Sequence, residues 1–268
     1  MAPELKRNIQ DTVFCDLFKI PKYQLALFNE IHPELPEVTE KDITFSNLTP
    51  VFLNQEYNDF SMVVLDKFMI FVEAQSGWSW NILPRILIYA AQKYKEYIDR
   101  MDYHLYRTSP IPLPRPEVYV VYTGDRKEIP ERISFSEAFF GGESVSIEVR
   151  ATVIHDPDGE GIISQYIFFT KVLQEARRHY GPTKQAIEET IRICQEQDKL
   201  SDYLESRKKE VVTIMEELFD FEKNMSRYVA SEREQARAEG RDDRSREVYE
   251  RLLAIDMPED QARKIAFG

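Results

Sequence analysis

The sequence predicts an α/β fold in which helices flank a mixed β-sheet, with a helical region at the C-terminal end. Two short apolar segments rich in Val, Ile and Phe, 60–65 and 68–75, have the form of a β-hairpin. A long helical pattern over 81–101 follows, and then another apolar strand over 117–125. Strand, strand, helix, strand is the order of an α/β domain. From residue 162 onward the patterns are helical.

Two short helices and one strand are predicted before the hairpin. Residues 8–20 carry apolar residues on one helical face and end at Pro21, and residues 22–34 repeat this spacing up to Pro33. Residues 43–53 have the composition of a strand. Pro50 within them favours an edge position, because proline cannot donate a ladder hydrogen bond.

The hairpin and the helix after it form the centre of the predicted sheet. Residues 68–75 are apolar at consecutive positions, which indicates a strand covered on both faces. Asn81 is predicted as the N-cap of the following helix, and Pro84 then falls in the first turn, where its missing N–H costs nothing. Residues 117–125 predict the next buried strand, ending in a glycine turn.

The second half of the chain divides into one strand and a series of helices. Residues 143–154 alternate apolar and polar, which predicts a half-buried strand. Helices are predicted over 162–180, 183–206 and 207–229. The mixed charges of 230–251 are typical of a solvated helix or a loose linker, and the last seventeen residues predict a helix end, a turn at 256–258 and a short helix. The predicted domains are 1–160, the core; 161–229, a helical extension packed on it; and 230–268, a charged helical tail, where homo-oligomers could form.

Composition and charge narrow the classes of function. Hydrophobic content of 43% and aromatic content of 12% are those of a globular protein, and the charged fraction of 31% is somewhat high. A net charge of −12 argues against a broad basic surface that coats nucleic acid, although residues 79–126 are mildly basic. We expect a cytoplasmic protein without membrane association, because no apolar run or leader is evident. Cys15 and Cys194 lack metal-type spacing, and we expect both to be thiols.

Acidic residues at the end of the hairpin raise the question of function. Glu73 and Gln75 are two residues apart on a strand and therefore share a face with core residues. If a three-residue turn or a bulge joins the strands, Asp59 lies directly opposite Glu73, with Cβ atoms about 5 Å apart. Two carboxylates at that distance repel each other unless they hold a cation, and Mg²⁺ accepts such incomplete oxygen sites.

Simpler interpretations of the same residues remain open. Acids at strand ends are often paired with a nearby cation, and Arg85 or Lys95 could serve for Glu73. Trp78 and Trp80 could stack on a base, but packing under the hairpin is the commoner use. The acidic segment 155–161 lacks the ligand spacing of a calcium loop and predicts an Asp–Gly turn.

The arrangement of an Asp, a hydrophobic hairpin, Glu-x-Gln and a helix resembles the PD-(D/E)XK nuclease superfamily. More narrowly, the segments "YNDFSMVVLDKFMIFVEAQSGWSWNILPRILIY" and "PRPEVYVVYTGDRKEIP" resemble the Rpn-type recombination-promoting nuclease and putative transposase family. The resemblance implies a restriction-endonuclease-like core. It also implies Asp59 and Glu73 as ligands of Mg²⁺, for which Mn²⁺ may substitute.

The sequence departs from the superfamily pattern at Gln75, where lysine is usual. A neutral amide can orient water or phosphate but cannot stabilise the charge that lysine would. The resemblance nevertheless implies a metal-dependent DNA endonuclease, linked to recombination or transposition, with Asp59, Glu73 and Gln75 catalytic. We also expect Arg85 and Arg100 to bind DNA. The alternatives are a nucleic-acid-binding relative whose catalysis has decayed, and an interaction protein that retains the fold.

Overall fold

The computed structural model describes residues 13–47, 59–253 and 259–267. The chain divides into two compact units, residues 1–216 and residues 217–268, and each is described by itself.

A six-stranded mixed sheet forms the centre of the first unit among the described residues. The strands are β1 (Ile43–Asn47), β2 (Asp59–Val64), β3 (Phe68–Gln75), β4 (Arg115–Tyr122), β5 (Arg132–Ser134) and β6 (Arg150–Ile154). Their order is β1-β2-β3-β4-β6-β5. The β3–β4 and β4–β6 pairs are parallel, and the other neighbours are antiparallel. The predicted α/β class with a mixed sheet is confirmed.

Helices of the first unit lie on both faces of the sheet. The helices of this unit are α1 (Val13–Phe18), α2 (Pro21–Ile31), α3 (Ile82–Arg100), α4 (Phe135–Phe140), α5 (Ile162–Tyr180), α6 (Lys184–Glu196), α7 (Ser201–Ser206) and the start of α8 (Lys208–Leu253). Helix α8 continues into the second unit, which also contains α9 (Glu259–Phe267). A 3₁₀ turn, Glu40–Asp42, precedes β1.

Successive side chains of a strand point to opposite faces of the sheet, and different helices pack on the two faces. On one face, Phe60 of β2 contacts the rings of Phe14 and Phe18 from α1. On the other face, α3 packs against β3 through a buried cluster. This cluster contains Met69, Phe71, Tyr89 and Tyr97. Glu73 and Gln75 share strand parity with Met69 and Phe71, so they lie on the face that α3 covers.

The predicted strand over 143–154 is wrong in its first half. Only Arg150–Ile154 forms β6, and the alternating residues before it belong to a connection in which Ile147 is exposed. The reason lies in Glu148, whose Oε1 accepts hydrogen bonds from the backbone N–H groups of Phe135 and Ser136. This segment therefore supports the start of α4, an element that the sequence patterns did not predict, as they did not predict β5.

The predicted helix over 183–206 is interrupted. It forms α6 and α7, separated by residues in which Asp198 and Leu200 adopt the left-handed conformation, with φ of 52° and 55°. Such backbone ends a right-handed helix. By contrast, the two segments predicted separately as 207–229 and 230–251 belong to one helix, α8.

In the second unit, residues 217–268, the described residues are helical. The mixed charges of 230–251 form a helix rather than a linker, and the predicted terminal helix is α9. The predicted turn at 256–258 lies outside the described residues. Homo-oligomer formation through this region stays a prediction. No helix of the described ranges is both long enough and apolar enough to cross a membrane.

Candidate active site

The hairpin register brings Asp59 and Glu73 together in the sheet. A three-residue turn, Leu65 to Lys67, joins β2 to β3, with Leu65 and Asp66 at positive φ. The register then pairs Asp59 with Glu73 at the end of the hairpin. This cross-strand pairing is the one predicted from the three-residue turn.

Glu73 is a buried carboxylate that is only partly satisfied. Its side chain is 4% exposed, and its Oε1 forms an ion pair with Nη2 of Arg85 in the first turns of α3. Among the residues that the structure describes, Oε2 is buried and has no hydrogen-bond partner. Arg85 thus supplies the positive charge that a buried carboxylate requires, and it does so at Oε1. Oε2 can still accept a hydrogen bond or bind a cation.

Gln75 is the last residue of β3, and its backbone is hydrogen-bonded more completely than its side chain. The backbone N–H of Thr123 donates to the carbonyl oxygen of Gln75 at 3.0 Å, which extends the parallel β3–β4 pairing. The side-chain Nε2 is buried without a hydrogen-bond partner in the described part of the chain. In the described residues, a carboxylate oxygen and an amide nitrogen without hydrogen bonds therefore occur two residues apart on one face of β3.

An aromatic pair lies where β3 leads into α3. Trp78 packs partly buried against the core, edge to face with Trp80 at 5.4 Å and with Tyr122 at 5.5 Å. The Arg126 guanidinium lies 4.6 Å from the centre of the Trp78 ring. Packing is thus the use of Trp78, whereas Trp80 is 40% exposed.

The loop after β4 is fixed by helix α5. Lys171 Nζ donates to the Gly124 carbonyl at 2.5 Å and pairs with Asp125 at 3.2 Å, and Arg178 adds a second contact to Asp125 at 2.9 Å. Hydrogen bonding from Lys171 lowers the pKa of the Asp125 carboxyl. A side chain at Gly124 would collide with the Ser76 carbonyl and the Tyr122 ring, so this close approach of backbones needs glycine.

The two arginines predicted to bind DNA occupy opposite ends of α3. Arg85 contacts Glu73, which is the structural alternative that the sequence left open. Arg100 lies at the last residue of α3, 3.7 Å from Asp66 in the hairpin turn and over the Tyr97 ring. Sequence reasoning did not predict the contact of Arg126 with the Trp78 ring, because the two residues lie on different connections of the sheet.

Two further expectations concern details near the site. Asn81 occupies the N-cap position of α3 as predicted, but its side chain makes no capping hydrogen bond; its backbone N–H instead donates to Ser79 Oγ at 3.2 Å. In the acidic segment 155–161, Asp158 N donates to Asp156 Oδ1 at 2.9 Å, which is the geometry of the predicted turn.

The described side chains contain no group of three or more His, Cys, Asp and Glu residues that could hold a metal ion. A divalent cation at this edge would therefore depend on two carboxylates, those of Asp59 and Glu73, completed by water or phosphate, which is a coordination habit of Mg²⁺. Glu73 Oε2, buried and without a hydrogen bond among the described residues, is an oxygen of the required type.

Comparison of the chain with protein-family models, with curated proteins and with solved structures finds no match.

Proposed function

We propose that this protein is a metal-dependent DNA endonuclease of the PD-(D/E)XK superfamily, as its resemblance to the Rpn-type family implies. One observation carries the proposal: Asp59 is the cross-strand partner of Glu73, and Glu73 keeps a buried oxygen without a hydrogen bond in the described residues. Residues directly opposite each other on antiparallel strands have Cβ atoms about 5 Å apart, a separation at which two carboxylates can share one cation.

The side chains divide the work of phosphodiester hydrolysis. Asp59 and Glu73 would hold Mg²⁺ or Mn²⁺, which when bound supplies Lewis-acid polarisation of the phosphate and a water of lowered pKa. Gln75 presents a neutral amide that orients the attacking water or a phosphate oxygen. Because an amide carries no charge, catalysis is expected to be slower than with the lysine usual at this position.

Arg85 has a second task in this mechanism. In the structure its guanidinium neutralises Glu73, and its side chain is 24% exposed. A divalent cation at Glu73 would take over that neutralisation, and the guanidinium could then turn to a phosphate oxygen, which it binds with matching geometry. The same residue would thus stabilise the metal-free site and contact the substrate.

A second candidate is an interaction or nucleic-acid-binding protein that retains the fold without catalysis. The Glu73–Arg85 ion pair favours it, because a carboxylate neutralised by an arginine needs no metal. On this alternative, Asp59 and Gln75 have no chemical role.

The location and biological setting are part of the same proposal. Both cysteines, which lie in described parts of the chain, are buried thiols rather than a disulfide, and burial raises the pKa of Cys194 to about 12. Thiols of this kind support a cytoplasmic protein. A role in recombination or transposition rests on the family resemblance.

Plasmid cleavage tests the proposal. Supercoiled DNA incubated with purified protein and Mg²⁺ or Mn²⁺ should be nicked or linearised, and EDTA should stop the reaction. Asp59→Ala and Glu73→Ala should abolish cleavage, whereas Glu143→Ala, which removes an exposed acid elsewhere, should not. Wild-type protein that leaves the plasmid intact with both metals would favour the interaction protein.

A further inference from the structure

A pocket of about 140 Å³ opens between strands β1 and β2 and helix α3. Its lining is formed by Thr44, Ser46, Ser61, Val63, Met69, Lys93, Glu96, Tyr97 and Arg100. Ser61 follows Asp59 by two residues in β2, so the two positions share a face of the sheet. The pocket therefore continues the face on which Asp59 pairs with Glu73.

Lys93 is the buried charge of this pocket. Its side chain is only 8% exposed, and Nζ donates to Ser46 Oγ at 2.7 Å and to Glu96 Oε2 at 2.7 Å. An ammonium group taken out of water is costly and is usually retained for a partner. Two residues along the same helix, Lys95 shows the ordinary alternative: it is 77% exposed and pairs with Asp99 on the helix surface.

The lining suits an anion. Three hydroxyl residues, Thr44, Ser46 and Ser61, line the pocket together with Lys93, and Arg100 adds a second cation to the lining. Glu96 opposes them, but its side chain is 48% exposed and can turn into solvent, which Lys93 cannot do. The Arg100 side chain is 44% exposed, lies over the Tyr97 ring and makes a 3.7 Å contact with the exposed Asp66, so its guanidinium can also rearrange.

We propose that this pocket binds a backbone phosphate of the DNA strand, next to the phosphate that is cleaved. That the ligand is DNA rests on the proposed function, to which the pocket adds a phosphate subsite. Phosphate contacts fix the register of a protein on nucleic acid. Lys93 would place the strand along the β1–β2 face, so that the neighbouring phosphate lies at Asp59 and Glu73. A chain of net charge −12 needs such a local cation to bind DNA at all.

Binding of a fluorescein-labelled DNA duplex, measured by anisotropy in EDTA over a range of salt, tests the subsite without requiring cleavage. Lys93→Met should weaken binding about tenfold, as expected for loss of one charged hydrogen bond. It should also reduce the slope of log affinity against log salt by about 0.9. Lys95→Met removes the same charge from the exposed face of the same helix and should leave affinity within about twofold, since screened surface charges contribute little.

A second variant keeps the test decisive if Lys93→Met folds poorly. Glu96→Gln removes the acid that competes with phosphate for Lys93 and should tighten DNA binding severalfold. Equal affinities of the Lys93 and Lys95 variants, a Glu96→Gln variant that binds no better than wild type, or wild-type protein without DNA affinity would each overturn the subsite. If Lys93→Met loses DNA affinity but wild type does not cleave plasmid, the nuclease proposal is refuted and the phosphate subsite stands. If wild type cleaves plasmid but Lys93→Met and Lys95→Met bind DNA equally well, the nuclease proposal stands and the subsite is refuted.

Discussion

Two buried carboxylates, Asp16 and Glu73, are each paired with an arginine, but their surroundings differ. Asp16 of α1 is fully satisfied: Arg207 donates to both of its oxygens, through Nε and Nη2 at 2.8 Å, and the Tyr203 hydroxyl donates to Oδ2 at 2.8 Å. Burial and the bond to Asp16 raise the pKa of Tyr203, which therefore remains a neutral donor. Glu73 has Arg85 at one oxygen and, in the described residues, no hydrogen bond at the other.

The difference separates a structural role from a chemical one. The Asp16 cluster joins α1 to α7 and to the connection between α7 and α8. Both carboxylate oxygens of Asp16 accept hydrogen bonds within it. Such a network stabilises the fold and has nothing left to offer a ligand. Glu73 Oε2 has no hydrogen bond among the described residues, and it lies at the carboxyl end of a parallel strand pair, where α/β proteins bind ligands. An incompletely satisfied buried acid is costly for stability, so its retention points to function.

The largest expected effect on stability is at Asp16. Asp16→Asn should lower the free energy of unfolding by about 3–5 kcal/mol, because it breaks a buried pair and turns an amide N–H toward the donors of Arg207 and Tyr203. The isosteric Glu73→Gln should change it by less than about 1 kcal/mol, because the amide keeps an oxygen for Arg85 and Glu73 Oε2 has no hydrogen bond to lose among the described residues. Urea denaturation of the two variants measures both.

Equal losses of unfolding free energy in Asp16→Asn and Glu73→Gln would contradict the distinction between the two carboxylates. A large loss in Glu73→Gln alone would make the Glu73–Arg85 pair the structural element and remove the argument for function. Tyr203→Phe, which deletes one hydrogen bond to Asp16, is a graded control and should cost about 1 kcal/mol.

A smaller effect is expected within the Glu73–Arg85 pair. In a double-mutant cycle of Glu73→Gln and Arg85→Met, the coupling energy in metal-free buffer should be about 1–2 kcal/mol, the range for contacting, partly buried charges. Because a divalent ion would take over the role of Arg85, the coupling should fall when Mn²⁺ is added. A coupling that is unchanged by Mn²⁺ would leave Arg85 as the permanent partner of Glu73.

Local patterns predicted the elements on which the candidate site depends. Counting residues across the hairpin placed Asp59 opposite Glu73 on the condition of a three-residue turn or a bulge, and the structure supplies the three-residue turn that fixes this pairing. The position of α3 followed from its apolar spacing, and the mixed sheet followed from the order of elements.

Long-range contacts could not be predicted in this way. Asp16 and Arg207 are 191 residues apart, and no local pattern reports that they meet. The same holds for Lys93, which the sequence shows as one cation in a mildly basic helix and the fold buries against Ser46 of the edge strand. The choice of Arg85 over Lys95 as the partner of Glu73 depended on which turn of α3 faces β3, a matter of packing. The alternation of apolar and polar residues over 143–149 led to a wrong strand prediction, because this segment supports the start of α4 instead of extending β6.

Calorimetric titration of Mn²⁺ into the metal-free protein tests the central claim, that Glu73 keeps an oxygen for a cation. The account predicts saturable binding at a single site in wild type, lost in Glu73→Ala and in Asp59→Ala and retained in Glu143→Ala. Circular dichroism should show that all four proteins are folded. Absence of saturable binding in wild type, or equal binding in all four proteins, would contradict the account.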